Sequence, residues 1–270
     1  MKKLKIGIVG CGAIGCSLAK VVARDLKSEA ALCALYDIDE SKALRLSELT
    51  VKNISCGFDT LISRSDLVIE AASAKCSWMV ARKALEKGRD VMIMSVGGVL
   101  DHAKELSRLA SKQKARVYIP SGAISGVDAL KASGVGKISK VMITTRKHPL
   151  SFQGVEYLKN KGVRPEKIRQ DTVLFSGPAK DAVKYFPQNI NVAAVLSLAG
   201  IGSSKTQVRI IASPLVKRNI HEIEIVSDAG RVFTRTENVL HPDNPKTSYL
   251  AVLSAIATLK AIVRPVSIGT

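Results

Sequence analysis

Length, composition and charge limit what this chain can be. It has 270 residues, 46% of them hydrophobic, which is enough for two ordinary globular domains. The formal net charge is +18, but aromatic residues make up only 4%, so the composition does not favour a nucleic-acid binder that stacks on bases. We expect the positive field to attract small anions instead.

Cysteine usage and apolar runs indicate the compartment. The five cysteines are an odd set without a C-x-x-C pair, so we expect neither a disulfide framework nor a metal site. Reduced thiols are typical of the cytoplasm, where we expect to find the protein. No apolar run reaches the length of a membrane span, and we expect no membrane contact.

Strands and helices alternate through the first 120 residues. The patterns predict strands at 4–9, 30–36, 66–70, 90–95 and 115–119, separated by helices at 14–26, 41–48, 78–87 and 102–113. Alternation at this spacing is typical of βαβ units. We therefore predict a doubly wound parallel sheet.

The pattern changes after Pro120. Helices are predicted at 127–132, 190–199 and 248–263, and strands at 140–146, 208–212, 220–225 and 231–236. The last two strands alternate with period two, as in an antiparallel sheet with one exposed face. The fold class is thus α/β, with a second α/β domain that carries an open, mostly antiparallel sheet. We predict domains at 1–120, completed by a C-terminal helix within 246–270, and at 121–245.

A glycine-rich turn follows the first strand. Gly10-x-Gly12-x-x-Gly15 opens the first helix, and Asp37 ends the second strand, which is the context of a Rossmann dinucleotide site. The helix N-terminus attracts the diphosphate, and Asp37 can accept from ribose hydroxyls. Asp37 favours NAD, while Lys42 and Arg45 leave NADP open. The predicted cofactor residues here are Gly10, Gly12, Ala13, Ile14, Gly15, Asp37, Ala72 and Ser73.

Several segments together resemble the L-aspartate dehydrogenase family. They are residues 68–73 (VIEAAS), 119–129 (IPSGAISGVDA), 186–194 (FPQNINVAA), 218–223 (RNIHEI) and 244–248 (NPKTS). The resemblance implies a homodimer or larger homo-oligomer that oxidises L-aspartate through iminoaspartate to oxaloacetate and ammonia, with NAD or NADP as cofactor. It also implies a supply of iminoaspartate for NAD biosynthesis. The domain at 121–245 is then expected to carry substrate binding, catalysis and oligomerisation.

The resemblance also implies site residues in the C-terminal half. Ala123 and one of Asn189 and Asn191 are expected to contact the cofactor, with Asn191 as the first choice. His221 matches the active-site histidine, and a histidine suits proton transfer near neutral pH. His241 is the rival, in a predicted loop whose Thr247 or Ser248 caps the last helix. The predicted substrate residues are Asn244, Lys246, Thr247 and Ser248, with Arg146, Lys147 and Arg218 as further cations for the substrate carboxylates.

Two alternatives remain open at this point. One is another nicotinamide oxidoreductase, of the homoserine or sugar type. A sugar-type enzyme is expected to have Glu-Lys-Pro near residue 95, where this chain has Ser95-Val-Gly. The other alternative is a non-catalytic, regulatory NAD-binding protein, which His221 and residues 244–248 disfavour.

Overall fold

The N-terminal sheet is parallel and five-stranded. The computed structural model describes residues 3–186, 191–242, 244–266 and 268–269. The strands are β1 (Leu4–Val9), β2 (Ala30–Tyr36), β3 (Leu67–Glu70), β4 (Asp90–Ile93) and β5 (Val117–Tyr118), in the order β2-β1-β3-β4-β5. The helices between them are α1 (Ala13–Arg24), α2 (Glu40–Leu49), α3 (Phe58–Arg64), α4 (Ala74–Glu86) and α5 (Ala103–Gln113). The prediction of a doubly wound sheet is confirmed.

The second sheet is mixed. Its strands are β6 (Ile138–Lys147), β7 (Thr172–Pro178), β8 (Gln207–Ala212), β9 (Asn219–Ser227) and β10 (Gly230–Asn238), in the order β10-β9-β6-β8-β7. Three of its four strand pairs are antiparallel and only β6–β8 is parallel, so the predicted, mostly antiparallel sheet is confirmed. The α-helices among the described residues of this part are α6 (Val127–Ser133), α7 (Glu156–Asn160), α8 (Ala179–Tyr185) and α9 (Asn191–Ala199).

The last elements differ in part from the prediction. Residues 241–248, predicted as a loop, contain a small antiparallel pair, β11 (Leu240–His241) with β12 (Asn244–Ser248). The final helix is α10 (Tyr249–Val263), which agrees with the predicted 248–263 to within one residue and lies inside the segment 246–270 assigned to the first domain. The Ser248 hydroxyl, at the start of this helix, donates to Asn238 Oδ1 at 2.8 Å.

The chain divides into two compact units. One comprises Met1–Pro120 with Val252–Ile268, and the other Ser121–Ala251 with Gly269–Thr270. In the first unit, β1 and β3 are apolar and buried because helices cover both faces of a parallel sheet. Ala255 and Leu259 of α10 belong to the same hydrophobic cluster. No helix in the described part of the chain is both long enough and apolar enough to cross a bilayer.

The two faces of the second sheet differ in chemistry. On β9 the side chains of His221, Ile223 and Ile225 are buried on one face. Glu222 and Glu224 alternate with them on the other face, where they pair with basic side chains of β6 and β10. These pairs are Lys140–Glu224 at 2.7 Å, Arg146–Glu222 at 3.4 Å, Arg231–Glu224 at 2.8 Å and Arg235–Glu222 at 2.6 Å. Four of the basic residues that produce the net charge are thereby held by acidic partners.

Candidate active site

A cavity of about 570 Å³ opens at the carboxyl ends of β1, β2 and β3. In an open α/β sheet this edge is where ligands bind. Five of the predicted cofactor residues line it: Gly10, Gly12, Asp37, Ala72 and Ser73. Ala13 and Ile14 begin α1 and are absent from that lining, while Gly15 is buried behind it.

The three glycines have different structural roles. Gly10 adopts φ +97° and donates its N–H to Tyr36 O at 2.8 Å. A Cβ on Gly15 would lie 1.9 Å from Gly10 O, so only glycine lets α1 approach the turn this closely. A Cβ on Gly12 would meet nothing within 4 Å, so the space above Gly12 is open to a ligand. This open backbone at the start of α1 fits the diphosphate of a dinucleotide.

Asp37 connects the glycine turn to the loop after β2. Its Oδ2 accepts from the backbone N–H of Cys11 at 2.7 Å, and its Oδ1 accepts from that of Asp39 at 3.0 Å. Each carboxylate oxygen has a second lone pair that can accept from a ribose hydroxyl. Lys42 also lines the cavity and pairs with Asp39 at 3.4 Å, whereas Arg45 is exposed outside the lining.

Glu70, like Asp37, accepts hydrogen bonds from backbone N–H groups of loops at the cavity. Sequence reasoning missed this residue. Its carboxylate is fully buried, with Oε1 accepting from Ala72 N–H at 2.8 Å and Oε2 from Ser95 N–H at 3.0 Å. Burial raises the pKa of this carboxyl, and the two backbone donors oppose that rise. Glu70 therefore fixes the loops that follow β3 and β4.

Other lining residues were also missed by sequence reasoning. They are mostly apolar: Val9, Tyr36, Ile38, Phe58, Ala71, Lys75, Cys76, Met79 and Val80. Ile38 is 93% exposed and Met79 45% exposed, so both present apolar surface at the cavity. Exposed apolar groups beside the Asp37 carboxylate fit the adenine end of a dinucleotide. The sequence did offer one signal for two of these residues: the i, i+3 spacing of Cys76 and Met79 places both on one face of α4.

His221 lies on β9, between β10 and β6 in the second sheet. It is 4% exposed and aligned in register with Thr145 of β6 on one side and Thr236 of β10 on the other. Its Nδ1 and the Thr145 hydroxyl are 2.9 Å apart, and Thr145 is itself only 3% exposed. The ring is therefore held in one orientation by a buried hydrogen bond.

A hydrogen-bond network joins three of the predicted site residues in this unit. The Ala123 carbonyl accepts from Asn238 Nδ2 at 3.0 Å and from Thr236 Oγ1 at 3.2 Å. Asn238 is 2% exposed, and its Oδ1 accepts from Ser248. Thr236 Oγ1 also lies 3.4 Å from the carbonyl oxygen of His221. Ala123, His221 and Ser248 are thus brought together by Thr236 and Asn238, neither of which the sequence singled out.

The remaining predicted site residues are placed as follows. Asn189 lies outside the described residues, and so does the side chain of Lys246. Asn191 is the exposed first residue of α9, and Asn244 and Thr247 are half-buried in β12. The rival His241 is buried, with its ring edge-on to that of Tyr249 at 5.6 Å.

Two titratable groups near Thr145 have shifted pKa values. Burial lowers the pKa of His221 to about 3, and the ammonium of Lys147 acts in the same direction. Burial likewise lowers the pKa of Lys147 to about 8. His221 is therefore neutral at physiological pH, in a positive local field.

The parallel sheet with its glycine turn and the buried histidine on a second sheet define a Rossmann-type nicotinamide oxidoreductase. The family model described as homoserine dehydrogenase, NAD binding domain, matches residues 10–120, and the model described as aspartate dehydrogenase, C-terminal, matches residues 128–262. A solved homoserine dehydrogenase from Thiobacillus denitrificans has a TM-score of 0.61 at 13% identity, which indicates the fold alone.

Full-length relatives identify the family. The L-aspartate dehydrogenases of Methanosarcina barkeri and Methanocaldococcus jannaschii are 46% and 41% identical to this chain, over 99% of it and 100% of each relative. The solved aspartate dehydrogenase from Thermotoga maritima has a TM-score of 0.74 at 26% identity, covering 99% of this chain and 100% of that one. The chain belongs to the L-aspartate dehydrogenase family, which confirms the resemblance stated above.

The glycine turn gives a matched pair of variants. Gly15→Ala forces a Cβ against the Gly10 carbonyl, so we expect a loss of about 1–3 kcal/mol in the free energy of unfolding, as in overpacked cores. Gly12→Ala has open space for its Cβ, so its melting temperature should stay close to wild type while its affinity for NADH falls. Thermal melting and NADH fluorescence titration measure the two effects. Wild-type NADH affinity in Gly12→Ala would contradict the assigned cavity.

The buried His221 makes stability depend on pH. The unfolded chain protonates this residue below the ordinary pKa of 6.5, whereas the folded chain resists protonation down to about 3. The unfolded state therefore binds more protons in that window, and stability falls as the pH decreases from 6.5 towards 3. Between pH 7.5 and 5.0, wild type should lose about 2 kcal/mol more than His221→Gln. Urea unfolding at both pH values measures this difference, and equal losses would contradict a buried, neutral His221.

Proposed function

We propose that this chain catalyses the oxidative deamination of L-aspartate with NAD or NADP, giving oxaloacetate and ammonia through iminoaspartate. The observation that supports this most directly is the buried His221, whose Nδ1 is hydrogen-bonded to Thr145, in a chain of this family. The reaction removes a hydride from Cα and a proton from the amine. Water then adds to the imine carbon, and ammonia leaves.

The dinucleotide is held by residues of the first unit. The open backbone at Gly12 and the N-terminus of α1 bind the diphosphate, with Ala13 and Ile14 in the first turn. Asp37 accepts from the ribose hydroxyls of NAD. Lys42 lines the same cavity and is the cation that we propose for the 2′-phosphate of NADP. Ala123 and Asn191 are further proposed contacts, with Asn189 as the alternative to Asn191. When bound, the nicotinamide accepts the hydride from the substrate.

His221 is the proposed catalytic residue. Because Thr145 occupies Nδ1, proton exchange with the substrate falls to Nε2. A neutral imidazole can take the proton that the amine releases and can later deliver it, or activate the water that attacks the imine. Burial keeps the ring neutral between turnovers, and Thr236 and Thr145 on the flanking strands keep it aligned.

Substrate binding is assigned to β12, which pairs with β11 next to the hydrogen-bond network of Ala123. Ser248 belongs to that network through Asn238, and we propose Asn244, Lys246 and Thr247 as its partners in holding the substrate. The rival His241 is committed to packing against Tyr249, which favours His221 as the residue that carries the chemistry.

We propose a different role for each of the two units. We propose that 1–120 with the C-terminal helix binds the dinucleotide, and that 121–245 carries substrate binding, catalysis and oligomerisation. A homodimer is supported by the outward face of the second sheet, where Phe233 is 60% and Val173 56% exposed. Five free thiols are consistent with the cytoplasm. Iminoaspartate released by this reaction is a candidate precursor for NAD biosynthesis.

An assay of substrate range tests the activity. The purified chain is incubated at alkaline pH with a panel of L-amino acids and either NAD⁺ or NADP⁺, and the reduced nucleotide is followed by absorbance. Turnover is expected with L-aspartate. His221→Ala should lower kcat by about 100-fold or more, the usual contribution of a general acid–base group, while NADH still binds.

His241→Ala serves as the matched control for His221→Ala. It removes a second buried histidine of the same unit and should retain most of the wild-type kcat. An absence of turnover with L-aspartate would overturn the activity. Near-normal turnover in His221→Ala would overturn only the role of His221.

A further inference from the structure

A lysine lies on the same face of the second sheet as His221. Residues two apart on a strand project to the same face, about 7 Å apart along it, so Lys147 follows Thr145 on β6. Thr145 is in register with His221 and bonds its Nδ1. The lysine ammonium is close enough to His221 to lower the pKa of the ring. The side chain of Lys147 is half-buried at the carboxyl end of its strand.

The other two candidate cations are placed differently. Arg146 projects to the opposite face, where it contacts Glu222 at 3.4 Å and Asp171 at 2.9 Å. Arg218 precedes β9 and is exposed. Of the three further cations that the sequence offered for the substrate carboxylates, Lys147 is the one on the His221 face.

We propose that Lys147 binds a carboxylate of the substrate beside His221 and thereby selects dicarboxylic over monocarboxylic amino acids. This inference deepens the proposed function and rests on it for the identity of the substrate. It adds a substrate contact from β6 to those proposed on β12. A single ammonium cannot hold both carboxylates, so the second one is left to the residues of β12.

Anion binding at Lys147 has a second consequence for His221. Desolvation lowers the pKa of Lys147 to about 8, and a substrate carboxylate beside the ammonium would favour its charged form. The same carboxylate neutralises the positive field that lowers the pKa of His221. A bound carboxylate opposes only this smaller effect, since burial is the main cause of the low pKa of His221.

Three variants test the assignment. Lys147→Met removes the charge and keeps most of the volume, and Lys147→Arg keeps the charge. The matched control is Lys140→Met on the same strand, whose lysine faces away from His221 and pairs with Glu224. In Lys147→Met, KM for L-aspartate should rise about 30-fold or more, as expected when one partner of a desolvated charge pair is lost. Its NADH affinity should be unchanged, Lys147→Arg should recover part of the loss, and Lys140→Met should match wild type.

Thermal protection by succinate gives a readout that does not depend on turnover. In the presence of NADH, succinate should raise the melting temperature of wild type and Lys140→Met, butyrate should not, and Lys147→Met should lose the succinate effect. If Lys147→Met does not fold, Lys147→Gln takes its place.

The outcomes separate the inference from the function. Wild type that binds succinate but does not oxidise aspartate overturns the proposed function and leaves Lys147 as a dicarboxylate contact. Active wild type, with unchanged KM and retained succinate protection in Lys147→Met, overturns the inference. A fall in kcat at unchanged KM also overturns it, because the lysine would then act in proton transfer.

Discussion

The pairing of β9 with β6 is the constraint on which the second unit depends. Antiparallel register brings Thr145 opposite His221, and both side chains are almost completely buried. A polar group in such a position is costly unless it is hydrogen-bonded, and the Thr145–Nδ1 contact satisfies both partners. A slip of one residue would send His221 to the face that carries Glu222 and its basic partners. The register of two strands therefore decides which face of the sheet the histidine occupies.

In the first unit, hydrogen bonds to two carboxylates hold the loops that surround the cavity. The turns at the ends of β1, β2, β3 and β4 need backbone N–H groups satisfied without covering the cavity. Two carboxylates perform this task, Asp37 for the glycine turn and Glu70 for the loops after β3 and β4. Asp37 stays accessible and can bind ribose, while Glu70 is fully buried. The same hydrogen bonds therefore stabilise the loops and fix the shape of the cavity that they surround.

Much of the fold was predictable because it follows local rules. Gly10, Gly12 and Gly15 specify a turn between strand and helix, and the apolar runs of β1 and β3 specify a covered sheet. The segment 149–186 was not predicted, since its elements are short and depend on an aromatic cluster of Phe152, Tyr157, Phe175 and Phe186. The β11–β12 pair was missed because Pro242 and Pro245 indicated a loop.

The site was predictable to the extent that motifs carry it. His221 was assigned by resemblance, and its burial and its bond to Thr145 arise from residues 76 positions apart. The links from Asn238 to Ala123, 115 positions away, and to Ser248 have no local signature either. The choice among Arg146, Lys147 and Arg218 needed the structure, because alternation on β6 indicates two faces without saying which one His221 shares.

The central claim is that the hydrogen on Cα of L-aspartate leaves as hydride to a nicotinamide nucleotide bound by this chain. Incubation with NAD⁺ and L-aspartate deuterated at Cα tests it directly, with mass spectrometry of the reduced nucleotide as the readout. We expect the deuterium to appear in the nucleotide and turnover to be slower than with unlabelled substrate. Deuterium recovered in the solvent, with none in the nucleotide, would contradict the account.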